Sequence, residues 1–344
     1  MGPAPLEGVA IKMKLRGMVL GIFAAVALVA LSARAAHAAE RQSIIIVQGA
    51  AGEDEYGDAF IKSADNWVAA AKKADADYTL IGRDASPAGE SLDKDRLKKA
   101  IDAAAVEATQ PLWIVLIGHG TFDSRDAKFN LRGADISDTE LAAWLKPMKR
   151  PLAVIDGSSA SSPFLTRLSA PGRVIITATR SGSEVNYCRF GLYFSEAIAD
   201  PAADLDKDGQ ISLLEAFLAA ANRTNEFYKR EGRLATEHAL LDDNGDKLGI
   251  SADWFDGIRP SRPAQNGAPL DGPRARQWAL ILSPAEQAMP QELREKRNAL
   301  ELRVEALHTR KATMNEDAYY GELDPMLIEL ARIYAQESAP SAAQ

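Results

Sequence analysis

Apolar positions fall into three regimes along this chain. From Gly17 to Ala33 the sequence GMVLGIFAAVALVALSA is almost unbroken in its hydrophobicity, and no other run is as long. Between Ser43 and Thr177 the apolar residues come instead in short blocks: SIIIV at Ser43 to Val47, Tyr78 to Ile81, LWIVLI at Leu112 to Ile117, LAVI at Leu152 to Ile155 and VIIT at Val174 to Thr177. Helical patterns lie between them, the first carrying Phe60, Ile61, Trp67 and Val68 and the next running around Leu97 to Ala105. Such blocks alternating with helices predict strands buried on both faces of a mostly parallel sheet. After WALIL, Trp278 to Leu282, the period changes. Ser283, Pro284 and Glu286 provide an N-cap, a first-turn proline and a capping-box glutamate in order. Leu293, Leu300 and Leu307 then recur every seventh residue with Val304 between, Asn315 offers a break, and Leu323, Leu327, Leu330 and Tyr334 fall on one face of a second helix. The expected fold class is therefore α/β, a mostly parallel sheet flanked by helices, with a C-terminal helical hairpin that packs on itself or on a partner.

Boundaries follow from the same pattern. The first apolar run follows Lys12, Lys14 and Arg16 and precedes Ala36, His37 and Ala38, which is the layout of a secretory signal over residues 1–38, cleaved after Ala38. The run also approaches the roughly 20 residues of a membrane helix, so an uncleaved anchor is the alternative and the one expected route to a membrane. An α/β domain is expected over residues 39–258 and a linker over 259–277, densest in proline, glycine and asparagine from Arg259 to Arg274. The helical region is expected over residues 278–344. A periplasmic or secreted location follows from the signal. Apolar residues at 47% and charged residues at 26% suit a globular domain. Removing residues 1–38, which hold four basic side chains and one acidic, takes the formal charge from -8 to -11. That acidity argues against nucleic acid as a partner, because phosphates demand a basic footprint. Cys188 is the sole cysteine, so no internal disulfide can form and a bound ion becomes the natural supplement to packing.

One segment has the spacing for such an ion. Asp204, Asp206 and Asp208 stand at positions one, three and five of a twelve-residue loop, Gly209 at six, Ile211 at eight and Glu215 at twelve. A hard cation takes six to eight oxygens, and this is the EF-hand arrangement, with glycine at the sharp turn and a closing carboxylate that binds through both oxygens. Calcium is the expected cofactor, held by Asp204, Asp206, Asp208, the Gln210 carbonyl and Glu215, with Ser212 acting directly or through water. A single loop suits a structural site better than a sensor. The later cluster Asp242, Asp243, Asn244, Gly245 and Asp246 lacks the sixth-position glycine and the closing glutamate and reads as a turn.

Two strand ends carry candidate chemistry. LWIVLIGHG sets His119 between two glycines, and LAVIDGSSASS sets Ser158, Ser159, Ser161 and Ser162 after the next strand. Ligands of open α/β sheets sit beyond the carboxyl ends of the strands, where a histidine can act as general base toward a serine. In order along the chain, SIIIVQGAAGEDEYGDAF, LWIVLIGHGTFD, LAVIDGSSASSPF and IITATRSGSEVNY resemble the legumain branch of the caspase-like cysteine peptidases, over roughly residues 43 to 200. The resemblance implies a caspase-like fold. It also implies that His119 matches the catalytic histidine and that Ser159 falls at the nucleophile position, where the family has cysteine. Ser162 stands where the family has glycine, and Cys188 lies beyond the following strand.

Serine needs a base, an orienting acid and a donor pocket in register, whereas a thiolate does not, so losing the cysteine points to a degenerate peptidase homologue. Three readings stay open at this point. The first is a caspase/legumain-like pseudoenzyme that binds calcium and a peptide or protein partner. The second is a serine-type hydrolase using Ser159 and His119. The third is a calcium-stabilised envelope scaffold in which the hairpin does the binding.

Overall fold

The computed structural model describes residues 41–83, 92–104, 108–262 and 269–337, and the signal segment expected at residues 1–38 lies outside them. Strands β1 (Ser43–Gln48), β2 (Asp77–Ile81) and β3 (Leu112–Ile117) come first in the chain. Three very short strands follow, β4 (Gly120–Phe122), β5 (Ala127–Phe129) and β6 (Ile136–Ser137). Strands β7 (Leu152–Asp156), β8 (Arg173–Thr177) and β9 (Leu240–Asp242) follow. The main sheet has six strands in the order β2-β1-β3-β7-β8-β9, with every pairing parallel except the last, β8 against β9. Helices α1 (Asp54–Lys73), α2 (Asp93–Ala103), α3 (Asp138–Leu145), α4 (Ser162–Leu168), α5 (Phe190–Ala197) and α6 (Leu213–Arg230) flank it.

The reason the strand blocks read as unbroken apolar runs is visible in their alternation. Ile44, Ile46, Trp113, Val115, Ala153, Ile155, Val174 and Ile176 point to one face, where Phe60, Trp67, Phe190, Phe194 and Phe217 of α1, α5 and α6 meet them. Ile45, Val47, Ile114, Leu116, Val154 and Ile175 point to the other, against Leu97, Leu141, Leu145, Phe164 and Leu168 of α2, α3 and α4. Period-two alternation with both faces covered is what a central parallel sheet requires. Fully burying each such side chain is worth about 1.5–3 kcal/mol, which makes these two layers the main source of stability. Trp113 is fully buried, and its indole N–H donates to Gln42 Oε1 at 2.8 Å, so the ring brings no unpaired donor into the core. β9 and the small sheet β4-β5-β6 were not legible in the pattern, because strands of two or three residues are too short to show a period.

The proline-rich stretch is partly ordered. Residues 263–268 lie outside the described set, while Pro273–Gln277 forms a short helix, α7. Asp243 holds it, accepting from Gly272 N at 3.0 Å and Ala275 N at 2.7 Å, and Asp271 accepts in return from Asp243 N at 2.8 Å. The acidic cluster from Asp242 is a bend, with Asp242 accepting from Gly245 N and Lys247 N.

At the C-terminal end, Ser283 caps α8 (Pro284–Ala288), and α9 (Gln291–Arg310) and α10 (Glu316–Glu337) form the hairpin. It packs on itself through Leu300, Leu307, Tyr319, Leu323, Met326, Leu330 and Ile333. The inward face of α10 differs from the expected one: Leu327 and Tyr334 are 45% and 41% exposed. Tyr319, Leu323, Met326, Leu330 and Ile333 follow alternating steps of four and three, and that stripe excludes residues one position further on. No described helix is long and apolar enough to cross a membrane.

Candidate functional site

The carboxyl ends of β1, β3, β7 and β8 converge, because parallel neighbours deliver their following loops to one edge of the sheet. His119 stands on the turn between β3 and β4. Its Nε2 lies 3.2 Å from the Ala51 carbonyl, and since a carbonyl only accepts, Nε2 carries the proton and Nδ1 is left as the basic atom. Tyr56, Phe60 and Tyr187 surround the ring, their centroids 5.0, 5.2 and 6.1 Å from it. Burial among them lowers the His119 pKa, outweighing the Ala51 carbonyl and the Glu53 charge, so the ring is neutral at pH 7. A histidine between two glycines on a loop is expected to be exposed. His119 is half-buried, because the loop after β1 and the first turns of α1 fold over it.

Ser159 reaches the same edge but faces the next residue of the histidine turn. Its hydroxyl donates to the Gly120 carbonyl at 3.1 Å and accepts from the Gly120 N–H at 3.0 Å, with 2% of the residue exposed. Among the described residues no hydrogen bond joins the side chains of Ser159 and His119. The approach requires glycine: a Cβ on Gly120 would lie 2.2 Å from the Ser159 carbonyl oxygen. The other serines are also engaged. Ser158 Oγ donates to Asp156 Oδ1 at 2.6 Å, while the Ser161 hydroxyl and the Ser162 N–H both meet Thr179 Oγ1, stitching the β7 loop to the β8 loop. Ala160 between them takes the left-handed conformation, φ 54°, and donates its N–H to the Glu184 carbonyl at 2.8 Å. Such backbone in a non-glycine residue costs about 1–3 kcal/mol and persists where its surroundings enforce it. Cys188 is buried, and burial pushes its thiol well above the usual range, with Glu237 and Glu184 adding to the effect. It is a protonated core thiol rather than a nucleophile.

Asp156 was not singled out in the sequence, although it ends the LAVID block directly before the serines. It is fully buried, Oδ1 accepts from Ser158 N and Oγ, and Oδ2 has no partner. Burial raises its pKa to about 7, against the lowering effect of the Ser158 bonds. A carboxyl whose pKa is higher folded than unfolded stabilises the fold fully below its ordinary pKa and loses that contribution as pH rises through the folded value, here from about 4 to about 7. Asp156→Asn should flatten this loss while burying a new, imperfectly paired amide, for a net gain on the order of 1 kcal/mol at pH 8. Urea denaturation at pH 5 and pH 8 measures it; a variant that loses as much stability as wild type between the two would show that Asp156 stays ionised.

The second site is the loop from Asp204 to Glu215. A short 3-10 turn, Pro201–Ala203, enters it and α6 leaves it. Carboxylate oxygens of Asp204, Asp206 and Asp208 lie within 4.8 Å of one another. Asp204 Oδ2 accepts from Gly209 N at 3.2 Å, which folds the loop back on itself, and Asp204 Oδ1 is buried without a partner. Gly209 has φ 87°, the turn the sequence reserved for it. Glu215 is 2% exposed and already closes the loop. Its Oε1 accepts from Leu205 N at 2.7 Å, and its Oε2 accepts from Ser212 N at 2.9 Å and Ser212 Oγ at 2.8 Å, completing a capping box at the start of α6. Ser212 thus spends its hydroxyl on Glu215. In a paired EF-hand the loop would be braced by its twin; here Ser212 bridges to Ala279, and Leu213 N donates to the Trp278 carbonyl at 2.8 Å. Burial, then the neighbouring Asp206 and Glu215 charges, raise the pKa of Asp208. The donor set is all oxygen, unneutralised by any described cationic contact to a carboxylate of the three, and one buried oxygen is orphaned, so the residues present fit a hard cation.

Among solved structures similar to the chain is the Drosophila initiator caspase Dronc, at 13% identity, the alignment covering 62% of this chain and 83% of that one with a TM-score of 0.38. Another is caspase-1 from Spodoptera frugiperda, at 9% identity over 59% of this chain and 86% of that one, TM-score 0.37. Overlap this loose transfers no residue role. No protein-family model matches the chain, and no curated protein matches its sequence.

Proposed function

We propose that this chain is an exported, catalytically degenerate caspase/legumain-like domain that binds calcium and presents its sheet edge to a peptide or protein partner. The observation that carries the degenerate reading is the closed pairing of Ser159 with the Gly120 peptide. A working nucleophile needs its hydroxyl within reach of a base, and it needs a free backbone N–H nearby to receive the developing oxyanion. Here the Ser159 hydroxyl holds the N–H next to His119, and the His119 Nε2 proton is committed to Ala51. An aromatic rim remains: Tyr56 and Tyr187 are only partly buried and flank the ring, which is a surface suited to an extended peptide rather than to acyl transfer. The motif order, not the loose structural overlaps, supports the family assignment, and the signal-like segment over residues 1–38 supports export.

Calcium would sit among Asp204, Asp206, Asp208, the Gln210 carbonyl and Glu215. It would supply charge neutralisation there and no step of a reaction. Its place at the start of α6, which buries Leu213, Leu214, Ala216 and Phe217 in the main core, supports a structural role.

The mature protein treated with a fluorophosphonate probe and with peptide electrophiles is expected to remain unlabelled at any calcium concentration. Labelling of wild type that disappears in Ser159→Ala would overturn the degenerate reading in favour of a serine hydrolase.

A further inference from the structure

The hairpin is attached to the sheet domain through polar contacts, and its apolar cluster shares no residue with either face of the sheet. A groove of about 370 Å³ separates the calcium loop from the hairpin, with Asp206 and Asp208 on one side and Arg297, Glu301 and Tyr334 on the other. One buried side chain crosses this boundary. Gln210 is 8% exposed; its Nε2 donates to Asp208 Oδ2 at 3.1 Å, and its Oε1 accepts from Ser283 N at 3.2 Å. Ser283 is the N-cap of α8, and Glu286 of α8 forms a two-pronged ion pair with Arg297 of α9, while Arg294 of α9 donates to the Glu286 carbonyl at 2.8 Å. The chain of contacts therefore runs from an acidic loop residue to the root of the hairpin without a gap.

We propose that calcium in the loop locks the C-terminal hairpin onto the sheet domain, with Gln210 as the coupling residue. The inference rests on the calcium reading above. Gln210 has two separable roles: its main-chain carbonyl would be the seventh-position ligand of the ion, and its side chain anchors Ser283. Without a cation, the Asp206 and Glu215 charges act unscreened on Asp208, whose carboxylate holds both the Gln210 N–H and the Gln210 side chain. With the cation bound, the loop is ordered, the orientation of Gln210 is fixed by its own carbonyl, and less freedom is lost when Ser283 docks. Two events that order the same residue favour one another, and the coupling is reciprocal. The strap from Trp278 to Leu282 is fixed on its other side, because Gln42 Nε2 donates to the carbonyls of Ala279 and Leu280. Loosening is therefore expected to begin at Ser283 and spread into the hairpin rather than into the sheet.

Hydrogen exchange of the full mature protein in excess calcium, in magnesium alone and in chelator reads this directly. In wild type, calcium should slow exchange in residues 204–215 and, by at least about fivefold, in residues 284–310, with magnesium much weaker in both. In Gln210→Ala, which keeps the carbonyl and removes the anchor, calcium should still slow residues 204–215 but change residues 284–310 by less than about twofold. Slowing of the loop alone in wild type overturns the coupling and leaves the calcium reading standing. Slowing of the hairpin that survives Gln210→Ala overturns the Gln210 route. No slowing anywhere overturns the calcium reading and the coupling with it. Should Gln210→Ala fold poorly, the wild-type comparison alone still decides between coupling and none.

Discussion

Calcium in hundredfold excess over its dissociation constant is expected to stabilise the folded chain by about 2.7 kcal/mol, the value of RT ln(1 + [L]/Kd) for a ligand that binds only the native state. For a domain of this size that is a rise in melting temperature of several degrees, at about 2–4 °C per kcal/mol. Three features make the loop the source. The carboxylates of Asp204, Asp206 and Asp208 crowd together, Asp204 Oδ1 is buried with no partner, and Glu215 stands at the start of α6, which packs against α5 and contributes Leu213, Leu214, Ala216 and Phe217 to the main core. Sites in extracellular modules bind with dissociation constants of roughly 0.1–1 mM, so saturation requires calcium well above millimolar. Glu215→Gln should abolish the calcium-dependent rise and also lower the baseline by about 1–2 kcal/mol. The Glu215 carboxylate accepts from Leu205 N, Ser212 N and Ser212 Oγ even before any ion is considered, and an amide fills those acceptor positions incompletely. Melting curves with calcium and with chelator, for both proteins, give four temperatures. If the two wild-type values coincide, the loop is a solvated acidic turn whose orphaned oxygen is met by water.

The strand blocks were legible because both faces of the central sheet are covered, which leaves runs such as LWIVLI with no polar position to break them. The hairpin was legible from its caps and its leucines, but the inward face of α10 was placed about one position off. Leu327 and Tyr334 continue the leucine spacing in the sequence, yet Met326 and Ile333 win the core, since the stripe is set by what α9 offers opposite it. His119 and the serine loop were found as motifs at strand ends. What the motif could not carry was hydrogen-bond direction: whether Ser159 turns toward the histidine ring or toward the neighbouring peptide depends on how closely Gly120 approaches, a fact about two loops far apart in sequence. Asp156 was invisible for a related reason. Its burial and its unpartnered oxygen arise from packing around the strand end, and an aspartate after an apolar block ordinarily reads as the solvated end of a strand. Nor does any spacing rule connect Gln210 to Ser283, which are 73 residues apart and meet only in three dimensions.

Removing the cation at the root of the hairpin should cost more than removing any surface pair of this protein. The Arg297 and Glu286 side chains are 9% and 11% exposed, far from the exposures of the many ion pairs on the helices, such as Lys296 with Glu329 at 55% and 39%. Exposed pairs of that kind contribute roughly 0–1 kcal/mol. Burial alone would push the Arg297 guanidinium down, and the two-pronged pairing with Glu286 outweighs it, so that the group is held more firmly protonated than in water. Arg297→Met leaves the Glu286 carboxylate desolvated and unpaired, a change that costs about 3–5 kcal/mol in buried pairs. Because Glu286 belongs to α8 and Arg297 to α9, the loss falls on the junction between the strap and the hairpin. Exposure of α9 and α10 to limited proteolysis should therefore precede unfolding of the sheet, even in saturating calcium. Pairing Arg297→Met with Glu286→Met removes both charges and fills the space with apolar atoms, and replacements of this kind are often neutral. The double variant is expected to return to within about 1 kcal/mol of wild type by urea denaturation. A single Arg297→Met variant already that close to wild type would mean that water from the adjoining groove reaches Glu286, and that the junction is held by the helix cap of Ser283 and its bond to Gln210 rather than by the ion pair.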